Sequence, residues 1–415
     1  MTRTVEPQGA LAGVKVLDLT RVLAGPWATM TLGDLGAEIW KIEQPGSGDD
    51  TRTWSPPSVE GVSTYFLSAN RNKQSLAVDL SRPEGRQIVL DLAEKADVVI
   101  ENFRPSSLAK MGLAYEALSA RNPGLIHCSI SGYGRDNVFA DRPGYDFIIQ
   151  AEAGFMALTG DPDGSPTRLG VAFVDLITGM NASQAILAAL HARTRTGRGQ
   201  SIDVALFDSA LHLLANVSAA YLNTGQPARR HGHAHPSIVP YQLFDTQDTP
   251  LALAVGNNEQ FRRLCIEVLA TPSLWADERY QTNLGRVSHR AELVPRLQAL
   301  FLQQTAAHWM TRLHAAGVPV GQVQSVQEAF ECEAAKARDV VVSSRHPRLG
   351  EVRTVRSPLR LAGTPPLAPT PPPELGQHTQ TVLSRVLGYP TEQIHALSQS
   401  GAIALAHPSE VLNAR

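Results

Sequence analysis

The fold is decided by the stretch Val14-Lys15-Val16-Leu17-Asp18-Leu19, which predicts a strand because apolar and polar residues alternate along part of it. A helix is expected from Gly25 and Pro26 to about Gly36, and a second strand follows over 37–43. Further elements are predicted as strands at 74–80, 97–101 and 125–130 and as helices at 83–96 and 106–120. Alternation at this spacing indicates parallel βαβ units with helices on both faces of a sheet. The predicted fold class is therefore α/β, with a Rossmann-like parallel sheet in the first third of the chain.

The link between the first strand and its helix carries no phosphate-binding signature. After Leu19 the chain continues Thr20-Arg21-Val22-Leu23-Ala24-Gly25-Pro26, without the Gly-x-Gly-x-x-Gly that a dinucleotide fold places there. No Gly-x-x-x-x-Gly-Lys-Ser/Thr phosphate loop occurs either. The sequence predicts the sheet without the dinucleotide site that often accompanies it.

A change of composition marks a second domain. Residues 223–240 contain Gly, Pro, two Arg and three His, which predicts a linker. Two strands and several helices are expected after it, so a smaller α+β domain is predicted over 223–334. Residues 1–222 and 335–415 are expected to form the large domain. Within the last part, the stretch 363–373 holds six prolines and predicts an extended surface linker.

Composition limits the partners and the compartment. The 415 residues carry 37 basic and 39 acidic side chains, a formal net charge of −2, which predicts neither nucleic acid nor an anionic membrane as a partner. The apolar runs are expected to fall short of the roughly 18 residues of a membrane span, and the polar start lacks the apolar core of a signal peptide. Cys128, Cys265 and Cys332 are widely separated, which favours reduced thiols and a cytoplasmic protein.

Few residues have the spacing of metal ligands. No Cys-x-x-Cys pair occurs, and His231, His233 and His235 alternate on a predicted loop without an adjacent carboxylate. This pattern favours histidines at a surface or an interface, and no metal site is predicted.

One carboxylate stands at the start of a predicted buried helix. Asp175 follows the apolar run 169–174 and precedes a segment rich in Ala, Gly, Leu and Ile that extends to His191. An Asp at a helix start commonly caps the first turn, and the positive end of the helix dipole favours its ionised form. From this pattern alone, Asp175 is either a plain helix cap or an ionised nucleophile.

Several short motifs match one enzyme family in number, order and spacing. They are Gly13-Val14-Lys15-Val16-Leu17-Asp18, Ala24-Gly25-Pro26, Leu32-Gly33-Asp34-Leu35-Gly36-Ala37, Lys41-Ile42-Glu43, Asn70-Arg71-Asn72-Lys73, Glu101-Asn102-Phe103-Arg104-Pro105, Arg142-Pro143-Gly144-Tyr145-Asp146, Thr196-Gly197-Arg198-Gly199-Gln200 and Leu375-Gly376-Gln377-His378-Thr379. With these motifs the sequence resembles the class III CoA-transferases over nearly its whole length. That group includes formyl-CoA and carnitine CoA-transferases, and the α-methylacyl-CoA racemases are its relatives.

The resemblance implies a mechanism and an assembly. It places the family's catalytic aspartate at Asp175, whose carboxylate attacks an acyl-CoA and passes through mixed anhydride and aspartyl-CoA thioester intermediates. It implies an acyl-CoA and a small carboxylic acid as substrates, with no bound cofactor, because coenzyme A enters as part of the substrate. It also implies an interlocked homodimer.

The pair Tyr145-Asp146 bears on the choice between transferase and racemase. In the racemases the position of Tyr145 holds a His that moves the α-proton, whereas Tyr, with an unperturbed pKa of about 10, is a poor base near neutral pH. The resemblance therefore favours a CoA-transferase over an α-methylacyl-CoA racemase or epimerase, with Tyr145 and Asp146 beside Asp175 in the catalytic group. The alternative for Tyr145 is an aromatic residue packed on the core.

Residues for coenzyme A are expected at the strand ends, where open parallel sheets bind ligands. Asn102 and Phe103 end a predicted strand, which suits contacts of an amide and a ring with adenine. The rest of the predicted coenzyme A site comprises five cations for the phosphates, Arg21, Arg71, Lys73, Arg104 and Lys110, together with Met111.

Overall fold

The structure, a computed structural model, describes residues 9–406 and divides into two compact units. The larger unit is drawn from three parts of the chain, namely the described residues up to Ala153, the segment Leu169–Gly225, and the described residues from Arg338 onward. The smaller unit consists of Gly154–Arg168 and Gln226–Ala337. The domain boundaries predicted from the sequence place Gly154–Arg168 in the large domain, whereas the structure groups this segment with the smaller unit.

The larger unit is built on a sheet of seven strands, counted over the described residues. In spatial order the strands are Ile403–Ala404, Gln74–Val78, Glu38–Glu43, Lys15–Asp18, Val98–Glu101, Ile126–Ser131 and Ser201–Ala205. Neighbours from the second to the last of these are parallel, and the edge strand Ile403–Ala404 is antiparallel to its neighbour. The predicted parallel sheet is confirmed.

The order of the strands determines where such a sheet binds ligands. Numbered along the chain, the six parallel strands lie in the order 3-2-1-4-5-6, so the order reverses between Lys15–Asp18 and Val98–Glu101. Open α/β sheets bind ligands outside the carboxyl ends of the strands at this reversal. Here the two carboxyl ends lead within a few residues to Arg21 and Asn102.

The central strands are buried on both faces. Consecutive residues point to opposite faces of a sheet, yet Val98, Val99 and Ile100 are all fully buried, as are Val16 and Leu17. Strands of this kind carry continuous apolar runs instead of a strict alternation. This explains why the first strand alternates only weakly in sequence.

The helices of the larger unit surround this sheet and the adjoining turns. They are Ala24–Asp34, Asp50–Thr53 (3₁₀), Thr64–Ala69, Pro83–Lys95, Pro105–Lys110, Tyr115–Arg121, Asp146–Glu152, Phe173–Thr196, Leu206–Leu213, Ala215–Thr224, Thr379–Leu387 and Thr391–Gln399. Two hairpins complete the unit, Ser58–Val59 with Val62–Ser63 and Val341–His346 with Gly350–Val355. The helix predicted over 106–120 is two helices, because Gly112 between them has a φ of 72° and cannot continue a right-handed helix.

The helix Phe173–Thr196 has the length and composition of a membrane span, the one such helix among the described residues. The sequence-based expectation that no apolar run approaches a span is corrected for this segment. Its buried residues recur every four positions at Val174, Thr178 and Ala182, and it packs against the helix Ala24–Asp34. The core helix of a globular domain passes the same test of length and composition, so a single helix of this kind is weak evidence for a membrane span.

The smaller unit combines helices with a small sheet, as predicted for an α+β domain. Its antiparallel strands lie in the order Val320–Gln322, Leu251–Ala254 and Tyr241–Phe244. Its helices are Phe155–Leu158, Asn258–Arg263, Leu264–Val268 (π), Pro272–Ala276, Glu278–Tyr280 (3₁₀), Asn283–Ser288, Arg290–Phe301, Ala306–Ala315, Val326–Glu331 and Glu333–Ala337. Phe244, Phe261 and Phe301 are fully buried in its core.

Candidate active site

Asp175 lies in the first turn of the helix Phe173–Thr196 and lines a cavity of about 400 Å³. The residue is 9% exposed. Among residues 9–406, no group donates a hydrogen bond to its carboxylate. A carboxylate that receives no hydrogen bond from the protein must be protonated or find its partner, water or a ligand, in the cavity that it faces. Asp175 is therefore available for chemistry inside the cavity.

The carboxylate of Asp146 caps this helix from the neighbouring helix Asp146–Glu152. Its Oδ1 accepts the backbone N–H of Val174 at 2.8 Å and that of Asp175 at 3.4 Å. Ala172, at the cap position of the helix itself, has no side chain that accepts a hydrogen bond. The interpretation of Asp175 as the helix cap is wrong, because Asp146 satisfies the N–H groups that a capping residue would take.

Gln150 links Asp146 to the segment that precedes the helix. Its Nε2 donates to Oδ2 of Asp146 at 2.6 Å, and its Oε1 accepts the backbone N–H of Leu169 at 3.0 Å. The side chain is fully buried. Since both ends of its amide are engaged away from water, Gln150 fixes the Asp146 carboxylate relative to the approach to Asp175.

Burial, followed by the negative charge of Asp146, raises the pKa of Asp175 to about 7. The helix dipole, on which the sequence-based argument for an ionised Asp175 depended, acts in the opposite direction. Near neutral pH its carboxyl group is a mixture of acid and anion, and a pKa close to the working pH suits a group that must act as an anion and remain reactive.

Two tyrosines accompany the carboxylates. Tyr145 is 59% exposed and lines the Asp175 cavity, so the alternative of an aromatic residue packed on the core is wrong. Tyr65, which no sequence motif marks, lies within electrostatic reach of both carboxylates. Burial, then Asp175 and Asp146, raises the pKa of Tyr65 to about 12. Its hydroxyl therefore stays protonated, and its ring packs edge-on against Trp54 with the centroids 5.0 Å apart.

A second cavity, of about 270 Å³, shares part of its wall with the first. Arg21, Asp50 and Phe103 line both cavities. Arg21 pairs with Asp50 at 3.2 Å, and its guanidinium carbon lies 5.9 Å from the centre of the Phe103 ring. Of the predicted coenzyme A residues, the first cavity is lined by Arg21, Asn102, Phe103 and Arg104, and the second by Arg21, Phe103 and Met111.

The amide of Asn102 is engaged with the backbone. Its Oδ1 accepts the N–H of Arg21 at 3.0 Å, and its Nδ2 donates to the carbonyl oxygen of the same residue at 2.8 Å. Both ends of the amide thus bind Arg21, which follows the neighbouring strand Lys15–Asp18. The predicted contact of this amide with adenine has to compete with these two bonds.

Three predicted cations line neither cavity. Arg71 binds Asp34 through Nε and Nη2, at 2.8 and 2.6 Å. The side chain of Lys73 is fully buried, and its Nζ lies 3.3 Å from Asp18. Lys110 is exposed at the end of a short helix. The prediction that Arg71 and Lys73 bind phosphates is corrected, because buried aspartates already neutralise their charges.

Buried charges also hold the turn between the first strand and the helix Ala24–Asp34. Val22 in this turn has a φ of 73°, the left-handed region that β-branched residues rarely adopt. Its N–H donates to Oδ1 of Asp49 at 3.3 Å, and Oδ2 of Asp49 accepts from Nζ of Lys41 at 2.9 Å. Although burial acts to raise it, Lys41 and Thr51 hold the pKa of Asp49 well below its usual value. The acceptor of the Val22 N–H is thus an ionised group.

Two of the three histidines of the predicted linker accept hydrogen bonds from the backbone. Nδ1 of His233 accepts the N–H of Leu243, and Nδ1 of His235 accepts that of Ser237, each at 3.1 Å. Over the described part of the chain, no group of three or more His, Cys, Asp or Glu side chains is placed to hold a metal ion.

Comparison with known proteins assigns the chain to a class. Residues 11–379 match the model of CoA-transferase family III, so the chain belongs to that family and is a CoA-transferase. The resemblance inferred from the sequence motifs is confirmed, and the racemase alternative is not favoured.

Individual members of the family are similar to this chain over most of its length. Over 393 residues the chain is 46% identical to the succinyl-CoA:glutarate CoA-transferase of Mus musculus, which covers 95% of this chain and 90% of the relative. Over 392 residues it is 43% identical to the succinate–glutarate CoA-transferase of Agrobacterium fabrum, covering 93% and 98%. The crystal structure of a CaiB/BaiF family protein from Brucella suis superimposes with a TM-score of 0.81 at 42% identity, covering 91% of this chain and 99% of that one.

Proposed function

We propose that this protein transfers CoA between an acyl-CoA and a small dicarboxylic acid, with Asp175 as the nucleophile. The observation that carries the proposal is the buried carboxylate of Asp175, which has no hydrogen-bond donor among the described residues and lines a cavity. Phe103 lines both that cavity and a second cavity, and the second cavity suits the nucleotide end of CoA. The names of the relatives, which pair succinyl-CoA or succinate with glutarate, support dicarboxylic acids as substrates.

The first half-reaction loads CoA onto the protein. A carboxylate oxygen of Asp175 attacks the thioester carbon, the C–S bond breaks, and CoA leaves as a thiolate, which produces an acyl-aspartyl anhydride. The thiolate then attacks the side-chain carbonyl carbon of Asp175 and breaks the anhydride C–O bond. The donor acid leaves as a carboxylate, and an aspartyl-CoA thioester remains.

The second half-reaction repeats these steps with the acceptor. A carboxylate oxygen of the acceptor attacks the carbonyl carbon of the aspartyl thioester, the C–S bond breaks, and CoA leaves as a thiolate while a mixed anhydride of Asp175 and the acceptor forms. The thiolate attacks the acceptor's acyl carbon and frees the Asp175 carboxylate. One thioester and one carboxylate stand on each side of the overall exchange, so no proton, electron or water is consumed.

The surrounding residues have distinct parts in this proposal. Asp146 holds the first turn of the helix, and Tyr145 stands in the cavity where its hydroxyl can donate to the oxyanion that forms on the reacting carbonyl. Losing one such donor typically costs about 10²–10³ in rate. Phe103 and Met111 contact adenine, and Arg21 and Arg104 bind the phosphates of CoA in a salt-sensitive manner.

The assembly and the compartment belong to the same proposal. We infer an interlocked homodimer from the family resemblance. We infer a cytoplasmic location from the thiols, since Cys128, Cys265 and Cys332 are all free, which fits a reducing compartment.

Mass spectrometry tests the mechanism directly. The protein is incubated with succinyl-CoA, quenched in acid and digested, and the peptide that contains Asp175 is expected to gain the mass of CoA less one water. Addition of glutarate is expected to remove this adduct and to release glutaryl-CoA. An adduct on another residue, or full transfer activity in an Asp175→Ala variant, would contradict the proposal.

A further inference from the structure

The motif Leu375-Gly376-Gln377-His378-Thr379, one of those that indicated the family, lies beside the strand Gln74–Val78. The backbone N–H of His378 donates to the carbonyl oxygen of Ser75 at 2.9 Å, and Nδ1 of His378 accepts the Ser75 N–H at 3.2 Å. Burial lowers the pKa of His378 to about 4, so its ring is neutral and able to accept. The motif therefore pairs with this strand edge, whose far end is covered by Ile403–Ala404.

One contact of the motif leads into the sheet. The backbone N–H of Gly376 donates to Oγ of Ser75 at 2.9 Å, and this hydroxyl donates to Oε1 of Glu43 on the neighbouring strand at 2.6 Å. Gly376 has a φ of 69°, and a Cβ on it would lie 3.1 Å from that of Ala77, so glycine suits this close approach. A hydroxyl has one proton to donate, and Ser75 gives that proton to Glu43.

The Glu43 carboxylate joins this hydroxyl to the segment that follows its own strand. Arg52 donates to it through Nε and Nη2, each at 2.7 Å, and the backbone N–H of Asp49 donates to Oε2 at 3.0 Å. Together with Ser75, these donors fill the roughly four acceptor positions of a carboxylate. Although burial acts to raise it, Arg52, Lys41 and Ser75 hold the pKa of Glu43 below its usual value. Glu43 is therefore an ionised group that holds its surroundings in place.

The segment that Glu43 holds forms part of the second cavity. Asp49 caps the 3₁₀ helix Asp50–Thr53, and Nη2 of Arg52 also donates to the carbonyl oxygen of Pro373 at 3.1 Å, two residues before the motif. The C-terminal part of the chain thus contacts this segment through Arg52 as well as through Ser75. The lining of the second cavity includes Glu43, Gln44, Ser47, Gly48, Asp49 and Asp50.

We propose that the motif Leu375–Thr379 positions the lining of the CoA cavity, with Ser75 as the positioning residue that connects the motif to Glu43. The inference rests on the proposed function, since it needs the second cavity to receive the nucleotide end of CoA. Without the Ser75 hydroxyl, Glu43 loses a donor, and the segment that it holds is less ordered before CoA binds. A site that must be ordered on binding has a lower affinity. The loss therefore affects the binding of CoA, while the chemistry at Asp175 is unchanged.

Two hydroxyl deletions on the same strand edge test the inference. Ser75→Ala removes the bond to Glu43. Thr379→Val is the matched control, because its buried hydroxyl accepts the Ala77 N–H at 3.0 Å and donates to the carbonyl oxygen of Gly376 but has no bond to Glu43. Calorimetry with free CoA is expected to give a Kd about tenfold higher for Ser75→Ala and within about twofold of the wild type for Thr379→Val. Both variants are expected to unfold at lower urea concentration, since each leaves a buried N–H without its acceptor.

A truncated substrate separates affinity from chemistry. Transfer to glutarate is measured with succinyl-CoA and with the succinyl thioester of pantetheine, which lacks the nucleotide. In Ser75→Ala, the KM for succinyl-CoA is expected to rise about tenfold while kcat stays within about twofold, and the pantetheine thioester is expected to react as in the wild type. Ser75→Cys, whose thiol is a weaker donor and acceptor, is expected to have an intermediate Kd, and it carries the test if Ser75→Ala does not fold.

A double variant tests whether Ser75 acts through Glu43. In a Glu43→Gln background, the further change Ser75→Ala is expected to alter the Kd of CoA by less than about twofold, because residues in one hydrogen-bond network have non-additive effects. A full additional tenfold rise would show that Ser75 acts by another route, and the inference would be wrong.

Each contrary result has a distinct meaning. Equal rises in the Kd of CoA for Ser75→Ala and Thr379→Val would make the motif a stabiliser of the sheet edge alone, and an unchanged Kd for Ser75→Ala would exclude the link, so both overturn the inference. An equal loss with the pantetheine thioester overturns it as well. A wild-type protein that binds CoA but transfers it from neither thioester contradicts the proposed function, and the calorimetric comparison still decides the inference. A wild-type protein that does not bind CoA contradicts both.

Discussion

Oδ1 of Asp146 accepts the backbone N–H of Val174 at 2.8 Å. The Asp146 carboxylate thereby caps the helix Phe173–Thr196, in which the residue after Val174 is Asp175. The negative charge of Asp146 is thereby fixed close to Asp175, where it raises the pKa of that residue beyond the effect of burial. A single contact thus governs both the geometry and the acidity of the nucleophile. We expect substitutions at these two residues to affect activity and stability in different ways.

Asp175→Asn is expected to abolish transfer, by about 10³-fold or more, because an amide does not form the aspartyl thioester. The same change is expected to stabilise the protein above pH 7. The pKa of Asp175 is higher in the folded protein than in the unfolded chain, so the native protein holds this proton more tightly. The free energy of unfolding therefore falls as the pH rises from about 4 to 7. Replacing the Asp175 carboxyl group removes this loss of stability, which is on the order of 1–4 kcal/mol. Urea unfolding at pH 8 checks this, and a variant less stable than the wild type there would contradict it.

The wild-type pH profile should reflect the same group. The anion of Asp175 attacks the thioester, and burial with Asp146 raises the pKa of Asp175 to about 7. We therefore expect kcat/KM to fall tenfold per pH unit below about pH 7 and to level off above it. The measurement is kcat/KM for succinyl-CoA from pH 5 to 9 at constant ionic strength. A profile flat down to pH 5 would mean that Asp175 stays ionised.

Asp146→Asn tests the coupling between the two carboxylates. The amide keeps an oxygen that can accept the Val174 N–H and loses the negative charge beside Asp175, while its NH2 replaces the oxygen that accepts from Nε2 of Gln150. The acid limb of the kcat/KM profile is expected to move to lower pH, since a like charge no longer opposes ionisation. Asp146→Ala is the matched control, because it loses the charge and also the cap, at a cost of about 1 kcal/mol in stability. An unmoved acid limb in both variants would show that burial alone sets the pKa of Asp175.

Gly179→Ala should disturb the contact between the helix Phe173–Thr196 and the start of the helix Ala24–Asp34. Alanine favours a helix over glycine by about 1 kcal/mol, but a Cβ 2.5 Å from the Ala24 carbonyl oxygen forces the backbones apart. Overpacking of this kind costs about 1–3 kcal/mol, so we expect a net loss of stability and a kcat lower by about tenfold. Gly321→Ala is the control, because a Cβ there meets no atom within 4 Å. Equal kcat values for the two variants would contradict the expected contact.

Arg71→Ala separates a structural cation from a ligand. Arg71 is nearly buried and bound to Asp34 at 2.6 Å, so its removal leaves the buried Asp34 carboxylate with the Asn72 amide as a donor but without its counter-charge. We expect the free energy of unfolding to fall by about 3–5 kcal/mol. The KM for succinyl-CoA is expected to stay within about twofold of the wild-type value. Arg104→Ala should do the reverse, raising KM with little change in stability, because Arg104 lines the cavity and is exposed. A large rise in KM for Arg71→Ala would restore it as a phosphate ligand.

The sheet and the family could be predicted because both depend on local patterns. Strands such as Val98–Glu101 and the turns after them carry their signals within a few residues, and the motif Glu101-Asn102-Phe103-Arg104-Pro105 marks a strand end in the same way. The position of Asp175 at a helix start was visible for the same reason. In each case neighbours in sequence determine the result.

The errors concern groups whose partners are distant in sequence. A cation beside a strand end, such as Lys73, has the same local pattern whether it binds a phosphate or Asp18, and only the tertiary structure distinguishes the two. The capping of the Asp175 helix by Asp146 likewise depends on two helices meeting. Tyr65 has no signal at all, since its importance arises from its distance to carboxylates on other elements.

The antiparallel edge strand Ile403–Ala404 has a consequence for biosynthesis. It pairs with Gln74–Val78, which the ribosome makes long before it. Until residue 404 has emerged, the nascent sheet presents an uncovered row of amide and carbonyl groups to other chains, a known route to aggregation. The whole of Gln226–Ala337 is translated within this interval. The sheet of the larger unit is therefore completed late in synthesis, and chaperones have a long period in which to shield its exposed edge strand.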